Sequence, residues 1–410
     1  MTVAPDVLVV GAGPAGSTAA RALALGGARV RLLERSRFPR NKPCAGGLTT
    51  RALKRFPHLP GVLAGIEAHP ISRLYLEGPA RRGVVLTSPR PAVVTMRRVE
   101  FDQALAREAA AAGAELVEDA WVSDARADEE GARVRTRDGR DFRADYLVAA
   151  DGVNGVLTRK LGLHAGWVPS RVALDVMQET ASARLRTIDP ETLWVSYGQG
   201  GMDGYGYLFP KRNHTNVGVG CLLSSYKERA AIAPYEMQQR FVAELRDRGL
   251  VDGAADREDF TPYHIPLGGP IPTTARGRVL VAGDAGGFVN AYTAEGIYYA
   301  MVTGDLAARA ILADAALDDP RRGTTAAAAY VRAWRGEIGG ELRDSRLIQK
   351  YIFRDISRAD LIAAGASAHR EVADAIIAYA MGELSYRQAR WFLIRHFPRG
   401  LFRLLSGASS

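Results

Sequence analysis

The sequence predicts a mixed α/β protein with one domain on a parallel sheet, a second domain of antiparallel strands and a helical C-terminal region. The chain opens with a strand, a glycine-rich turn, a helix and a second strand within residues 6–34. Two further strands, ending near residues 151 and 284, are each followed by a glycine-containing loop, and no strand pattern follows residue 320. Strands that alternate with helices favour a parallel sheet.

Composition agrees with a globular protein of more than one domain. The 410 residues are 47% hydrophobic and 24% charged, which is typical of soluble domains. The two cysteines, Cys44 and Cys221, are too few for a disulfide framework, and no Cys or His spacing indicates a metal site. We therefore expect a reducing, cytoplasmic location and no metal.

The net charge of +9 suits an anionic cofactor, an anionic lipid surface or nucleic acid. No nucleic-acid-binding motif is found, so nucleic acid is not expected as a partner. The N-terminus lacks the regions of a signal peptide, and no run of about 18 apolar residues predicts a membrane span.

The N-terminal segment has the pattern of a dinucleotide-binding motif. A buried strand over residues 7–10 is followed at once by Gly11, Gly13 and Gly16. In this spacing the first glycine permits a tight turn, the second lets a pyrophosphate approach, and the third lets helix pack on strand. Glu34, which ends the second strand, is placed to accept hydrogen bonds from ribose hydroxyls. These residues predict a Rossmann-like dinucleotide site.

Two later segments specify the cofactor by resemblance. They are "RADYLVAADGVNG" from Arg143 and "GRVLVAGDAGGFVNAYTAEGIYYAM" from Gly277. With the first segment they resemble, in order and spacing, the flavoprotein group that includes p-hydroxybenzoate hydroxylase, aromatic-ring monooxygenases, flavin halogenases and geranylgeranyl reductases. The resemblance implies FAD, with Asp284 on the ribityl chain and the amides of Gly296 and Ile297 near the pyrimidine end of the flavin.

The same resemblance implies an FAD-binding domain of p-hydroxybenzoate hydroxylase type, with Arg98 facing the cofactor. No second glycine motif of this kind follows a strand. Electrons must then come from NAD(P)H bound transiently or from a ferredoxin-like or other protein donor. The residues predicted to contact FAD are Gly11, Gly13, Pro14, Ala15, Gly16, Glu34, Arg35, Cys44, Ala45, Arg98, Asp151, Gly152, Gly283, Asp284, Gly296 and Ile297.

Two motifs point to one branch of this group. "KPCAGG" contains Cys44, and "YGYLFPKRNHTNVGVG" from Tyr205 reads as two strands joined by a turn. They resemble the C-x-G-G segment and the Y-x-W-x-F-P and G-x-G segments of geranylgeranyl reductases. Tyr207 stands where that family has tryptophan, which leaves the exact prenyl substrate open. The resemblance covers roughly residues 5–320.

The chemistry implied is saturation of a C=C bond in an isoprenoid chain, with hydride from flavin N5 and a proton from an acid. Aromatic faces can stabilise positive charge on the alkene, and a free thiol, with a pKa of about 8.5, is a suitable acid. The alternative is that Cys44 only shapes the loop. The predicted catalytic residues are Cys44, Gly46 and Gly47. The predicted substrate-binding residues are Tyr205, Tyr207, Phe209, Pro210, Gly218 and Gly220.

Other reaction classes stay open at this stage. An FAD-dependent monooxygenase or halogenase acting on an aromatic or polyketide-like small molecule shares the three FAD segments. A halogenase also needs a lysine, for which Lys42 and Lys211 are weak candidates. A quinone-linked electron-transfer flavoprotein usually has additional iron–sulfur cysteines, which this chain lacks.

The predicted domains are residues 1–75, 93–165 and 275–320 for FAD, residues 76–92 and 166–274 for substrate, and residues 321–410 for the helical region. The last stretch, from Tyr386 onward, interleaves arginines with aromatic and aliphatic residues. It suits either an anionic membrane surface or a helix docked on the parent fold. A peripheral position on the inner face of the cell membrane is therefore an alternative to a purely cytoplasmic one. The oligomeric state is not predicted.

Overall fold

The computed structural model describes residues 6–316 and 324–396. The strands in these residues are β1 (Asp6–Val10), β2 (Arg29–Leu33), β3 (Gly47–Thr49), β4 (His69–Ile71), β5 (Arg73–Glu77), β6 (Gly83–Thr87), β7 (Val93–Thr95), β8 (Glu115–Val117), β9 (Val122–Ala127), β10 (Ala132–Thr136), β11 (Asp141–Ala144), β12 (Tyr146–Ala149), β13 (Val172–Ala181), β14 (Leu185–Thr187), β15 (Thr192–Tyr197), β16 (Gly204–Pro210), β17 (His214–Leu222), β18 (Val251–Gly253), β19 (Phe260–Pro266), β20 (Ala275–Arg276) and β21 (Val279–Val281).

The α-helices of the described residues are α1 (Pro14–Leu25), α2 (Arg51–Arg55), α3 (Leu59–Ala64), α4 (Arg98–Ala111), α5 (Leu157–Lys160), α6 (Leu223–Arg229), α7 (Pro234–Asp247), α8 (Ile297–Ala315), α9 (Thr324–Trp334), α10 (Gly340–Arg354), α11 (Arg358–Ala368), α12 (Arg370–Ala380) and α13 (Tyr386–His396). None of these helices combines the length and apolar character that crossing a bilayer requires.

The chain divides into two compact units. The first unit comprises Met1–Asn41, Val99–Val168 and Ile265–Ser345, and the second comprises Lys42–Arg98, Pro169–His264 and Arg346–Ser410. Residues 42–75, assigned above to the FAD-binding domain, therefore group with the second unit. Likewise, the first unit continues through α9 to residue 345.

The first unit is built on a six-stranded sheet in the order β20-β21-β12-β1-β2-β8, parallel except for the β20–β21 pair. Strand β1 is buried along residues 7–10 because both faces of the sheet are covered. On one face Leu8 and Val10 pack into the core shared with β9 and β10. On the other face, Val9 lies close to Gly16 in α1.

The second unit is built on a seven-stranded sheet in the order β19-β13-β17-β16-β15-β5-β6. Side chains alternate across its strands, and one face packs on α7 through Val176, Leu208, Val217 and Phe241. The alternate residues of the same strands therefore point to the opposite face. We call this opposite face, with Tyr197, Tyr205, Tyr207, Phe209, Asp175, Glu179 and Asn216, the polar–aromatic face.

The C-terminal residues that the structure describes, 324–396, form helices α9 to α13, as the sequence predicted. The part of the predicted basic segment from Phe397 onward, including Pro398, Arg399, Leu401, Phe402 and Arg403, lies outside the described residues.

The contact between α1 and α8 depends on Gly304. A Cβ added at Gly304 would lie 2.2 Å from the Ala15 carbonyl oxygen, so Gly304→Ala forces the two helices apart. We expect the free energy of unfolding to fall by about 1–3 kcal/mol, measured by denaturant unfolding. The control is Gly336→Ala, since Gly336 is exposed and a Cβ there meets nothing within 4 Å. Equal stability of the two variants would contradict this packing.

Candidate functional site

The turn after β1 requires glycine at two positions, because a Cβ there would clash with the backbone of the protein itself. Gly11 has a φ of +100°, and a Cβ on it would lie 2.3 Å from the Ala150 carbonyl oxygen. A Cβ on Gly16 would lie 1.8 Å from the Gly11 carbonyl oxygen. Both glycines therefore serve the tight turn and the close approach of α1 to β1 that their spacing predicts.

Gly13 is different, because the protein itself leaves room for a side chain there. Its φ and ψ of −81° and −174° are accessible to any residue. The nearest atom to an added Cβ is Nη2 of Arg40, 4.0 Å away. Helix α1 begins at Pro14, and no side chain of the described residues caps it. An open space in front of an uncapped helix N-terminus is what a pyrophosphate requires.

Glu34 is held rigidly beside this turn. Its carboxylate accepts hydrogen bonds from the Ala12 amide at 3.0 Å and the Ser36 amide at 3.3 Å. Arg40 pairs with it at 3.2 Å and with Asp102 at 2.9 Å. These partners compensate the burial of the charge, and they fix the carboxylate where a ribose could meet it.

The second glycine-rich turn brings Asp284 to the start of α8. A Cβ on Gly296, the residue before α8, would lie 3.3 Å from Oδ1 of Asp284. Gly283, with φ of +62°, donates its amide to Thr303 Oγ1 at 3.0 Å. The predicted ribityl and pyrimidine contacts, Asp284, Gly296 and Ile297, are therefore neighbours.

Asp151, at the end of β12, supplies a further polar group. Its Oδ2 accepts the Leu157 amide at 3.0 Å, and Oδ1 has no hydrogen-bond partner among the described residues. Burial raises the pKa of this carboxyl to about 6, although backbone amides partly oppose the shift. The open space at the N-terminus of α1, the oriented Glu34 carboxylate and the unpaired Oδ1 of Asp151 fit a dinucleotide cofactor.

The polar–aromatic face of the second unit carries a row of rings. The ring centroids of Tyr197 and Tyr205 are 5.6 Å apart, those of Tyr205 and Tyr207 6.2 Å, and those of Tyr207 and Phe209 5.3 Å. All three pairs are edge-to-face. Alternation along β16 puts Tyr205, Tyr207 and Phe209 on the same face.

The Cys44 loop contacts one end of this row. Asn216 Nδ2 donates to the Cys44 carbonyl at 3.3 Å, and the Gly46 amide donates to Cys44 Sγ at 3.4 Å. A Cβ on Gly47 would lie 2.8 Å from the Phe209 ring. Cys44 is half-buried, whereas Cys221 is buried in the core against α7.

A buried ion pair supports this loop. Lys211 and Glu179 form a hydrogen-bonded salt bridge, and Arg97 Nε pairs with Glu179 at 3.0 Å. Asn216 Nδ2 also donates to Glu179, at 3.4 Å. Burial disfavours ionisation of Glu179, but Lys211 and Arg97 outweigh it and hold its pKa below the usual value.

A second acid lies on the same face. Asp175 and Tyr207 are each 4% exposed, and the Tyr207 hydroxyl donates to both carboxylate oxygens at 3.2 Å. Burial raises the pKa of Asp175 to about 7, with the Tyr207 hydrogen bond and Lys42 opposing the shift. Burial, Asp175 and Cys44 together raise the pKa of Tyr207 well above 10.

Comparison with known proteins identifies the family. The family model described as "FAD binding domain" matches residues 4–311. A protein named digeranylgeranylglycerophospholipid reductase 2, from Methanothermobacter thermautotrophicus, is 31% identical over 85% of this chain and 87% of its own. The chain belongs to the geranylgeranyl reductase family of FAD-dependent oxidoreductases.

Two other comparisons extend the similarity. Protein FixC of Bradyrhizobium diazoefficiens is 31% identical over 75% of each chain. The crystal structure of a geranylgeranyl bacteriochlorophyll reductase-like protein from Thermoplasma acidophilum superposes with a TM-score of 0.79 over 98% of this chain and 99% of that one, at 19% identity. The fold of this geranylgeranyl reductase family member is thus the predicted α/β flavoprotein fold, and its cofactor is FAD.

The predicted site residues fall into both units. The FAD contacts predicted between Gly11 and Arg35 and between Asp151 and Ile297 lie in the first unit, whereas Cys44, Ala45 and Arg98 lie in the second. Arg98 is buried at the start of α4. The predicted substrate-binding residues lie on β16 and β17, and β17 begins at His214, three residues earlier than the sequence indicated.

The two glycines after Cys44 are required by close contacts within the protein that the sequence did not reveal. Gly46 has a φ of +72°, and a Cβ on it would lie 2.0 Å from the Met96 carbonyl oxygen. Gly47 makes room for Phe209. Sequence reasoning also missed Arg40, Asp175, Glu179 and Asn216. The signal for Asp175 was available, since it is an acid inside the apolar run "VALDVM".

A substitution at Gly13 tests FAD binding separately from folding. We expect Gly13→Val to leave the thermal stability of the apoprotein nearly unchanged, because the backbone conformation and the space both accept a side chain. FAD affinity should fall at least ten-fold, measured by fluorescence titration of the apoprotein. Gly16→Ala is the contrast, since it should destabilise the apoprotein itself. Unchanged FAD affinity in Gly13→Val would contradict the placement of the pyrophosphate.

Proposed function

We propose that this FAD-dependent oxidoreductase reduces carbon–carbon double bonds of an isoprenoid chain. The observation that carries the proposal is the row of four aromatic rings that ends at the Cys44 loop on one face of the seven-stranded sheet. An extended apolar chain suits a row of aromatic faces better than a compact polar substrate does.

The residues of this face match the requirements of alkene reduction. Bound FAD, when reduced, supplies the hydride. Positive charge that develops on the more substituted carbon is stabilised by the faces of Tyr205, Tyr207 and Phe209. Cys44 donates the proton to the other carbon. The Gly46 amide, which donates to Sγ at 3.4 Å, then stabilises the thiolate that remains.

The isoprenoid is carried on a lipid, a diphosphate, a quinone or a chlorophyll-type precursor. The name of the Methanothermobacter relative supports a lipid-borne chain. A halogenase would need a lysine available to hypohalous acid. Lys211 does not suit that role, since it is buried and paired with Glu179.

An anaerobic experiment tests the proposal. The flavin of the holoenzyme is reduced with dithionite, which bypasses the natural electron donor, and geranylgeranyl diphosphate is added. We expect the oxidised flavin spectrum to return and the product mass to rise by two units for each reduced double bond. Reoxidation that begins only after air is admitted would contradict the reductase function and favour a monooxygenase or halogenase.

Cys44 is tested in the same assay. Cys44→Ser replaces the thiol with a much weaker acid, so we expect the rate of flavin reoxidation by substrate to fall about 10²-fold or more. Cys221→Ala serves as the control, because Cys221 packs in the core on the other face of the sheet. A wild-type rate in Cys44→Ser would contradict proton donation by Cys44 and indicate that this residue only shapes the loop.

We also infer that α13 contacts an anionic membrane surface. Arg387, Trp391 and Arg395 are exposed and follow one another at intervals of four residues, so they share one face of the helix. Trp391 is 61% exposed. A tryptophan between two arginines suits the headgroup region of an anionic bilayer.

Vesicle co-sedimentation tests this surface. Trp391→Ser should reduce binding to phosphatidylcholine vesicles that contain phosphatidylglycerol, and high salt should weaken wild-type binding. Ile188→Ser is the matched control, since Ile188 is 53% exposed in the same unit but outside α13. Equal binding by the two variants would exclude Trp391 as a membrane contact.

A further inference from the structure

Asp175 is a buried acid on the polar–aromatic face that the proposed reaction does not yet use. It lies within β13, and its described hydrogen-bond partner is the hydroxyl of Tyr207 on β16. These two strands are not neighbours, because β17 runs between them. A hydrogen bond across an intervening strand is unusual, since side chains of the middle strand would normally block it.

Two glycines of β17 open the path for this hydrogen bond. Gly220 pairs with Asp175 and Gly218 pairs with Tyr207 in the strand register. A Cβ on Gly218 would lie 2.3 Å from the Tyr207 hydroxyl oxygen, and a Cβ on Gly220 would lie 3.6 Å from Asp175 Oδ1. The G-x-G motif of β17 thus allows the Tyr207 ring to lie over the strand and reach Asp175.

The pair lies next to the Cys44 loop. The Phe209 ring lies between Gly47 of that loop and Tyr207, and Asn216 holds the Cys44 carbonyl. The charge of a Cys44 thiolate is one of the interactions that raise the pKa of Tyr207. Tyr207 therefore donates a hydrogen bond to Asp175 and interacts electrostatically with Cys44.

We propose that Asp175 returns a proton to Cys44 through the Tyr207 hydroxyl after each reduction. This inference rests on the proposed function. When the Cys44 S–H bond breaks and its proton goes to the substrate carbon, the thiolate accepts the proton of the Tyr207 O–H group. Tyr207 in turn takes the proton of the Asp175 carboxyl. No electrons move between these groups, and the Asp175 carboxylate regains a proton from solvent before the next reduction.

The relative acidities of a carboxyl and a thiol favour proton transfer from Asp175 toward the thiolate. A carboxyl that titrates near pH 7 is a stronger acid than a free thiol with a pKa of about 8.5. Tyr207, whose pKa is well above 10, passes the proton on without remaining ionised. Two other titratable groups interact electrostatically with Asp175. Lys42 favours the carboxylate, and Cys221, on the opposite face of the sheet, has a pKa that burial raises to about 12.

An internal proton source is useful because a polyprenyl chain contains several double bonds. Hydrocarbon covering the aromatic row keeps bulk water from the sulfur between successive reductions of the same chain. Asp175 is thus a positioning and proton-storing residue that acts through Tyr207.

The first test compares the first reduction of geranylgeranyl diphosphate with later ones, under excess dithionite and without oxygen. Asp175→Asn should raise the ratio of the first rate to the later rates at least ten-fold. We also expect the later rates of the wild type to decline above pH 7, and this decline to be absent in Asp175→Asn. Tyr207→Phe, which keeps the ring, should give the same ratio. Equal loss of the first and later rates in both variants would overturn the inference, because it would indicate a structural effect.

The second test needs no substrate. Cys44 of the oxidised holoenzyme is alkylated with iodoacetamide between pH 6 and 10, and its peptide is quantified by mass spectrometry. An ionised Asp175 disfavours the thiolate, so Asp175→Asn should shift the alkylation midpoint down by roughly half a pH unit or more. Asp252→Asn, at an exposed position of the same unit, should not shift it.

The two tests separate the inference from the function. If the wild type does not reduce the isoprenoid, the proposed function fails, and the alkylation midpoint still shows whether Asp175 and Cys44 are coupled. An unchanged midpoint in Asp175→Asn would overturn the inference whatever the substrate is.

Discussion

The buried ion pair between Lys211 and Glu179 is the interaction on which the polar–aromatic face depends. Lys211 follows the end of β16, and Glu179 lies on β13, with Asn216 of β17 hydrogen-bonded to Glu179 between them. Removing Glu179 would leave the charge of the buried Lys211 without its described partner, and an uncompensated buried charge typically costs about 3–5 kcal/mol. Because Asn216 also holds the Cys44 carbonyl, the ion pair links the strands to the loop that carries the thiol.

Side chains alternate between the two faces of the seven-stranded sheet, so one face packs in the core and the other carries the candidate functional residues. Val176, Leu208, Val217 and Val219 pack on α7, and their sequence neighbours form the polar–aromatic face. A shift of one residue in the register would exchange the two sets. The long β13–β17 and β16–β17 pairings resist such a shift, since each continues without interruption over seven or more residues.

Local features of the fold could be predicted from the sequence because they depend on neighbouring residues. The strand, turn and helix around Gly11 and Gly16 follow from backbone sterics within ten residues. The helix start at Gly296 and the strand end at Pro210 are likewise local. The family resemblance added the FAD assignment and the importance of Cys44, which spacing alone does not establish.

Pairings between distant residues could not be predicted in the same way. Glu179 and Asp175 meet Lys211 and Tyr207 only because β17 aligns β13 with β16 in one particular register, across 32 residues in each case. Gly46 likewise approaches the Met96 carbonyl, which is 50 residues away in sequence. Tyr207 showed in the sequence only as a departure from the family's tryptophan, and its partner Asp175 explains how the buried hydroxyl is satisfied.

The most direct test of the account is a crystal structure of the reduced holoenzyme grown with geranylgeranyl diphosphate in the absence of oxygen. The account predicts electron density for the isoprenoid along Tyr205, Tyr207 and Phe209, with one of its double bonds in contact with Cys44 Sγ. Density for the isoprenoid elsewhere, with this row of rings left uncovered, would contradict the assignment of the polar–aromatic face as the place of the reaction.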